Sequence, residues 1–271
     1  MSSDRQQAKA EAFQALHQGE PFIIPNPWDP GSARVLEALG FKALATTSSG
    51  FAFTLGRLDG GATLDELTEH IGAVDRATAL PISVDLENGY GPAPADAATA
   101  IERAAAAGAV GGSIEDWDAR KGIYPLERAV ERVAAAAEVA HALPFPFMLT
   151  ARAENHIRGN PDLDDTIERL NAYAQAGADV LFAPGLRDAG QVARLCQSVA
   201  KPVNVLAHRG LTRDEIVGAG AQRISVGGAL TWTAVEAMAS AAEQIRDRGD
   251  FTTLGSAARI KEWLGQPESA E

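Results

Sequence analysis

Two carboxylates two residues apart stand at the end of an apolar run: Asp85 and Glu87, in Pro81-Ile82-Ser83-Val84-Asp85-Leu86-Glu87-Asn88-Gly89-Tyr90-Gly91. In a strand, residues i and i+2 project from one face, so both acids converge where the strand stops at the Gly-aromatic-Gly turn. Like charges side by side are costly unless a cation lies between them, and a divalent metal ion is the simplest candidate. Glu115, on the face of Ser113 in Gly112-Ser113-Ile114-Glu115, can point the same way. Asp59 lies in a glycine-rich loop, Leu55-Gly56-Arg57-Leu58-Asp59-Gly60-Gly61, able to fold back over the same place. Such an all-oxygen set suits Mg²⁺ or Mn²⁺ and not structural zinc, although any one of these acids, Asp59 most readily, could instead be a solvated surface group. Asp116 and Glu154 should fall on the opposite faces or further out, where orienting or salt-bridging their neighbours is as much expected of them as chemistry.

Arg152 ends Phe147-Met148-Leu149-Thr150-Ala151-Arg152, where its planar guanidinium can take a carboxylate or phosphonate, or pair internally with Glu87 or Glu115. Thr46-Thr47-Ser48-Ser49-Gly50-Phe51 offers hydroxyls and backbone N–H groups that could cradle an anion, or could form a plain turn. Asn204, polar within an apolar strand, either binds a substrate oxygen or satisfies the interior. His17, His70 and His141 sit on expected helices and read as solvated, whereas His156 and His208 follow strand ends. Gly227-Gly228 is weak evidence for a phosphate site, and no dinucleotide-binding glycine pattern or Ser-His-Asp set is present.

The elements that must hold these groups alternate along the chain. Strands are expected at residues 22–25, 43–47, 82–85, 110–115, 147–152, 180–183, 203–206 and 223–226. Helices are expected between them, at 32–39, 64–79, 95–107, 126–141, 163–176, 189–199, 212–219 and 231–248. Asp29-Pro30 and Asn160-Pro161 place a capping side chain before a proline. Gly40, Gly108, Gly177 and Gly220 mark helix-to-strand joints. Eight βα units in one α/β domain spanning residues 1–271 indicate a (β/α)₈ TIM barrel, with an open doubly wound sheet as the rival. A barrel puts catalytic groups at the C-terminal strand ends, where the acids above are found. Residues 1–18 read as an additional polar N-terminal helix, and Leu254, Ile260, Trp263 and Leu264 in the tail need a partner surface.

With 36 acidic against 24 basic residues and a formal net charge of -12, the chain lacks the basic face that nucleic acid or an anionic membrane requires. Cys196 is the only cysteine, which leaves no intrachain disulfide and no cysteine-based metal site. With no secretory signal and no apolar run of membrane-spanning length, a cytoplasmic location is expected.

Together, Thr47-Ser48-Ser49-Gly50-Phe51, Leu55-Gly56-Arg57-Leu58-Asp59, Asp85-Leu86-Glu87-Asn88-Gly89-Tyr90-Gly91, Ser113-Ile114-Glu115-Asp116 and Ala151-Arg152-Ala153-Glu154 resemble the isocitrate lyase/phosphoenolpyruvate mutase superfamily, from Asn26-Pro27-Trp28-Asp29 to the eighth strand. The resemblance implies a barrel that commonly forms a homo-oligomer, dimer or tetramer, with terminal helices exchanged between subunits. It implies Asp85 as direct Mg²⁺ ligand, with Asp59, Glu87 and Glu115 acting mainly through metal-bound waters. It makes Ser49, Gly50, Phe51 and Arg152 the substrate contacts, joined by Asn204. The family often has Asp where Glu87 stands, a change that keeps the charge and lengthens the reach.

The departure lies in the lid, Asp116-Trp117-Asp118-Ala119-Arg120-Lys121-Gly122-Ile123-Tyr124. Carbon-carbon-cleaving members carry Lys-Arg-Cys-Gly-His there, and phosphorus-carbon members a lid Asn or Thr. This lid has neither, which disfavours an isocitrate or methylisocitrate lyase and makes phosphonopyruvate-type chemistry less expected. The shared half-reaction survives: a small anionic 2-oxo carboxylate held on Mg²⁺ by Arg152 and the Ser49-Gly50 loop, losing a C3 substituent to leave an enolate. Departure of CO₂ needs no acid in the cleavage step, so oxaloacetate decarboxylation is the leading expectation. Retro-aldol cleavage of a 2-hydroxy acid, with Tyr90, Tyr124 or Lys121 as proton donor, is the second. A non-catalytic 2-oxo acid binder is the third.

Overall fold

The computed structural model describes residues 4–265. The chain runs α1 (Asp4–Leu16), β1 (Phe22–Ile24), α2 (Pro30–Ala38), β2 (Leu44–Ala45), α3 (Ser48–Thr54), α4 (Leu64–Ala77), β3 (Ile82–Asp85), α5 (Pro94–Ala106) and β4 (Gly111–Glu115). A two-stranded hairpin follows, β5 (Trp117–Asp118) and β6 (Gly122–Ile123), and then α6 (Leu126–Ala142), β7 (Met148–Arg152), α7 (Leu163–Gln175), β8 (Val180–Phe182) and α8 (Ala189–Ser198). The last elements are β9 (Val203–Leu206), α9 (Arg213–Gly218), β10 (Arg223–Ser225), α10 (Ala229–Arg248) and α11 (Ile260–Leu264).

Eight strands pair in parallel in the order β1-β10-β9-β8-β7-β4-β3-β2, the sheet of a (β/α)₈ barrel. Between β1 and β2 the seam is narrow: the Ala45 N–H donates to the Pro25 carbonyl at 3.0 Å. Asn26 reinforces it. Its Nδ2 donates to the Thr46 carbonyl at 2.9 Å, while its Oδ1 accepts the Val226 and Gly227 N–H groups at 2.9 Å. One amide side chain thus joins strand 1 to both neighbours.

All eight expected barrel strands are present, six of them trimmed at their ends, because apolar runs bounded by glycine report parallel strands well. The four joint glycines have φ between 86° and 114°, as left-handed helix ends require. Asp29 caps α2 by accepting the Ser32 N–H at 2.6 Å. At α7 the cap is Asp162 and not Asn160: Asp162 Oδ1 accepts the Asp164 N–H at 2.9 Å.

The main core lies between strands and helices, with Ile82, Val84, Leu149 and Leu181 packed in one cluster with Ile71, Ile101, Leu170 and Leu195. Each such side chain contributes about 1.5–3 kcal/mol. Helix α1 covers the end of the barrel where the strands begin. Phe13 is fully buried over Gly111, and Lys9 pairs with Asp75 at 2.6 Å while also donating to the Thr78 carbonyl. His17, expected in solvent, is buried between Phe13 and Phe22, and burial with the nearby Arg223 charge pushes its pKa down to about 3. His70 is likewise buried, because both histidines fall on inward faces.

Helix α11 lies on α2 of the same chain, where Arg34 Nη2 donates to the carbonyls of Leu264 and Gly265 at 3.1 and 2.8 Å. Trp232, Met238, Phe251 and Leu254 are exposed, and α10 buries only Thr231. No helix among the described residues is long and apolar enough to cross a membrane.

Candidate active site

Asp85, Glu115 and Arg152 end adjacent strands, and parallel pairing sets Asp85 beside Ser113 and Glu115 beside Arg152. Arg152 is the hub. Its Nη1 donates to Asp85 Oδ1 at 2.9 Å, its Nη2 reaches Glu115 Oε2 at 3.0 Å and Glu154 Oε1 at 2.7 Å, and its Nε meets the same Glu154 oxygen at 3.1 Å. A guanidinium has five N–H groups, so at most one, on Nη1, remains for a substrate carboxylate. The internal ion pair is therefore made, with Glu154 and Asp85 joining the expected Glu115.

Glu154 is fully buried and also pairs with Arg158 at 3.1 Å, whose guanidinium stacks over the Trp117 ring of the lid at 3.4 Å. Arg158 was not singled out from the sequence; its spacing four residues after Glu154 on one helical turn is the signal that could have found it. Asp116 turns away, as expected: it accepts the Tyr173 hydroxyl at 2.6 Å, the Glu154 N–H at 2.8 Å and Arg169 at 3.2 Å.

Asp85 is held from three sides. Its Oδ2 accepts the Ser48 N–H at 3.2 Å and its Oδ1 the Glu87 N–H at 3.3 Å, while its own N–H donates to Thr46 Oγ1. Glu87 and Tyr90 both adopt left-handed backbone, φ 48° and 61°, an uncommon conformation for these residue types and one that clusters at functional sites. The Tyr90 hydroxyl donates to Glu87 Oε1 at 3.3 Å, and burial beside Glu87 pushes its pKa up, so it stays protonated.

Negative charge is in excess here. Burial, with Asp85 and Asp59 nearby, pushes Glu87 up to about 7. Glu115 is raised well above the carboxylate range, chiefly by burial and then by Glu154 and Asp85, against the opposing pull of Arg152. Asp59 stands at the rim with its residue surface exposed, yet its carboxyl is raised by loss of solvent and by Asp85. Hard oxygen donors short of positive charge are what Mg²⁺ needs, so the residues fit the ion. Among the described residues no three His, Cys, Asp or Glu side chains are grouped closely enough to hold a metal ion by themselves; Mg²⁺ ordinarily takes one or two carboxylates and keeps several waters.

This arrangement fixes a pH dependence. In the metal-free protein Glu87 binds its proton up to about pH 7, whereas the unfolded chain releases it near 4.5, so this group lowers stability as pH rises between those values. A divalent ion must displace that proton, so Mg²⁺ affinity is expected to fall about tenfold per pH unit below 7 and to level off above it. Calorimetric titration with Mg²⁺ from pH 5.5 to 8.5 measures this, and a flat profile would show that Glu87 does not face the ion.

A cavity of about 180 Å³ runs from this mouth into the barrel, lined by Ser48, Ser49, Asp59, Asp85 and Arg152 above and by Ser83, Ser113, Asn204, Arg223 and Ser225 below. Asn204 lies here as one of its two alternatives proposed: its Nδ2 donates to Ser225 Oγ and its Oδ1 accepts from Arg223 Nε, at 2.9 and 2.8 Å. A second, larger cavity opens outward, lined by Glu87, Tyr90, Glu115, Trp117, Arg120, Lys121 and Arg158. The lid over it is the β5-β6 hairpin, rooted by Tyr124, whose hydroxyl donates to Asp118 and accepts from Asn88. Lys121 is exposed at its tip.

Gly50 and Phe51, expected at the substrate, line neither cavity. The segment after Thr47 is helix α3 and not a turn, with the Gly50 N–H donated to the capping Thr47 Oγ1. Phe51 is buried and stacks on His70 at 4.1 Å. Gly50 is a packing position: a Cβ there would lie 2.6 Å from Thr231 Oγ1 and from Thr47 Cγ2. Gly50→Ala is expected to cost about 1–3 kcal/mol, read as a lower Tm, by prising α3 from α10. An unchanged Tm would mean the contact relaxes freely. His156 and His208 also line neither cavity; His208 Nδ1 accepts the Gly210 N–H.

The sequence model of the phosphoenolpyruvate phosphomutase family matches residues 13–246. A crystal structure of a candidate lyase/mutase from Burkholderia cenocepacia J2315 is 50% identical, covers 98% of each chain and superposes with a TM-score of 0.94. The oxaloacetate decarboxylase of Rhodopseudomonas palustris (strain BisB18) is 30% identical over 206 residues, 72% of this chain and 70% of the relative. The structure of an oxaloacetate acetylhydrolase in complex with its product oxalate is 26% identical over 95% of this chain and 94% of that one, with a TM-score of 0.85. The match over most of the chain, on a barrel with its acids at the strand ends, shows that this enzyme belongs to the phosphoenolpyruvate phosphomutase family of the isocitrate lyase/phosphoenolpyruvate mutase superfamily.

Proposed function

We propose that the chain is a Mg²⁺-dependent carbon-carbon lyase acting on a small 2-oxo or 2-hydroxy dicarboxylate through an enolate, with oxaloacetate decarboxylation as its reaction. The observation that carries this reading is Asp85 and Glu115 paired to the Arg152 hub with Asp59 and Glu87 close beside Asp85, beneath a lid without Cys or His. The decarboxylase and acetylhydrolase relatives, both named for oxaloacetate, support the substrate class.

Asp85 would hold the ion, with Asp59, Glu87 and Glu115 receiving its waters. A cation bound there supplies Lewis acidity toward the 2-oxo group and the charge that favours an enolate. Ser48, Ser49 and the remaining Arg152 N–H would orient the carboxylate next to it, and Asn204 a further oxygen. The hairpin lid would exclude water. Loss of CO₂ asks no protein group for a proton in the cleavage step, in keeping with this lid.

The test is pyruvate formation from oxaloacetate with Mg²⁺. Turnover above the rate of the metal alone is the expected result, and its absence would remove the decarboxylase assignment. The Tyr90–Glu87 hydrogen bond favours a second reading, retro-aldol cleavage with Tyr90 as proton donor at the lid cavity. Product analysis with malate-type 2-hydroxy acids separates the two, Lys121 being the other donor available on the lid. The exposed apolar side chains of α10 and the segment after it support a homo-oligomer, dimer or tetramer, that covers them.

A further inference from the structure

Among the described residues Arg223 is a buried cation with no acidic partner. It opens β10, is 4% exposed, and its side chain crosses the barrel interior. Its Nε donates to Asn204 Oδ1 at 2.8 Å, its Nη2 to Thr150 Oγ1 at 3.0 Å, and its Nη1 meets His17 Nε2 at 3.2 Å. All three partners are neutral. The His17 Nδ1 lies 2.8 Å from the Phe13 carbonyl and must donate to it, which leaves Nε2 as the acceptor for Arg223. Five N–H groups meet three acceptors, so two donors lack a protein partner among the described residues. An arginine does not escape by losing its proton, and a buried charge is normally paired.

The guanidinium lines the floor of the same cavity whose mouth holds Asp85 and Arg152, with hydroxyls of Ser83, Ser113 and Ser225 around it. Thr150 precedes Arg152 by two residues on β7, which places the Arg223 contact about 7 Å below the mouth. A four-carbon dicarboxylate has that reach. Every acid of the site gathers at the mouth around Arg152, so the cavity is polarised along its length.

We propose that Arg223 makes the cavity floor a carboxylate-binding site distinct from the metal-facing mouth, occupied by the substrate's far carboxylate or by a free small carboxylate. The first source rests on the function proposed above; the second does not. The site would then measure length: a substrate with a second carboxylate would span mouth and floor, and a shorter acid such as oxalate would engage the mouth alone.

The experiment uses the intact protein with formate, succinate and oxalate as probes, at ionic strength held constant with a bulky sulfonate buffer salt. Without divalent metal, formate and succinate are expected to raise the Tm of the wild type and of Asp85→Asn but not of Arg223→Met. With Mg²⁺, oxalate is expected to stabilise the wild type and Arg223→Met alike. If the substrate is the source, affinity for oxaloacetate, taken from its KM, weakens about tenfold in Arg223→Met. If a free carboxylate is the source, that KM is unchanged while the formate response is lost. Should Arg223→Met not fold, Arg223→Lys keeps the charge and is expected to retain the formate response, and ¹³C-formate line broadening reports on the wild type directly. Equal responses of wild type and Arg223→Met to every probe, or no broadening by the wild type, would overturn the proposal. A formate response without oxaloacetate turnover would leave this site standing and remove only the proposed reaction.

Discussion

Asp85→Asn is expected to fold normally while losing Mg²⁺-dependent stabilisation by oxalate and about 10³-fold in kcat/KM on the substrate. The side-chain amide keeps the shape of the carboxylate and one oxygen to accept the Ser48 or Glu87 N–H. Arg152 keeps Glu115 and Glu154 as partners, so the ion-pair hub survives. What disappears is the single charge at the strand end to which the other acids are secondary. A ligand that binds only the metal-loaded site raises Tm in proportion to the logarithm of its concentration, so thermal unfolding with and without Mg²⁺ and oxalate reads the loss without needing turnover. A variant still stabilised to the same extent would place the ion elsewhere.

Arg152→Met is expected to be the most destabilising single change, for a different reason. Removing one partner of a buried ion pair strands the others, at a cost of about 3–5 kcal/mol, or roughly 10 °C in Tm for a chain of this size. Glu154 is completely buried and Glu115 nearly so, and neither can turn to solvent. The loss depends on pH with a definite sign. Glu115 is already raised well above its ordinary range, and without the guanidinium it would rise further. A raised carboxyl gives its full stability while protonated and loses it as pH climbs. The gap between variant and wild type should therefore widen as pH climbs through the raised range of Glu115 and narrow again below it, and Glu154→Gln should recover part of it where Glu115 is charged. A gap independent of pH would mean that Arg152 acts by packing alone.

Much of this site is readable from residues because each strand ends on its chemistry. Asp85, Glu115 and Arg152 close apolar runs, and period-two alternation tells which side chains share a face. Helix α3 is not readable in the same way: Ser48-Ser49-Gly50 has poor intrinsic helix propensity, and the helix is favoured by the Thr47 cap and by close docking of Gly50 on Thr231. The lid hairpin escapes as well, since two-residue strands carry no periodicity. It depends on the Asp118 side chain accepting the N–H groups of Arg120 and Lys121. Arg223 shows the limit most plainly. A basic residue opening an apolar strand is visible, but its isolation from every acid depends on which strands become neighbours.

The Asn26 amide has a consequence for motion. Seven of the barrel's strand junctions are ladders, whereas the eighth rests on the Ala45–Pro25 bond and this one side chain. A ring opens where it is thinnest, so the first excursions from the native state belong between strands 1 and 2. Amide exchange at Ala45, Val226 and Gly227 would then report on the hydroxyl-bearing segment at 46–49 and the glycine pair at 227–228 as one unit. The two rims flanking the cavity mouth are tied to a common hinge pin, and loosening it would shift both at once.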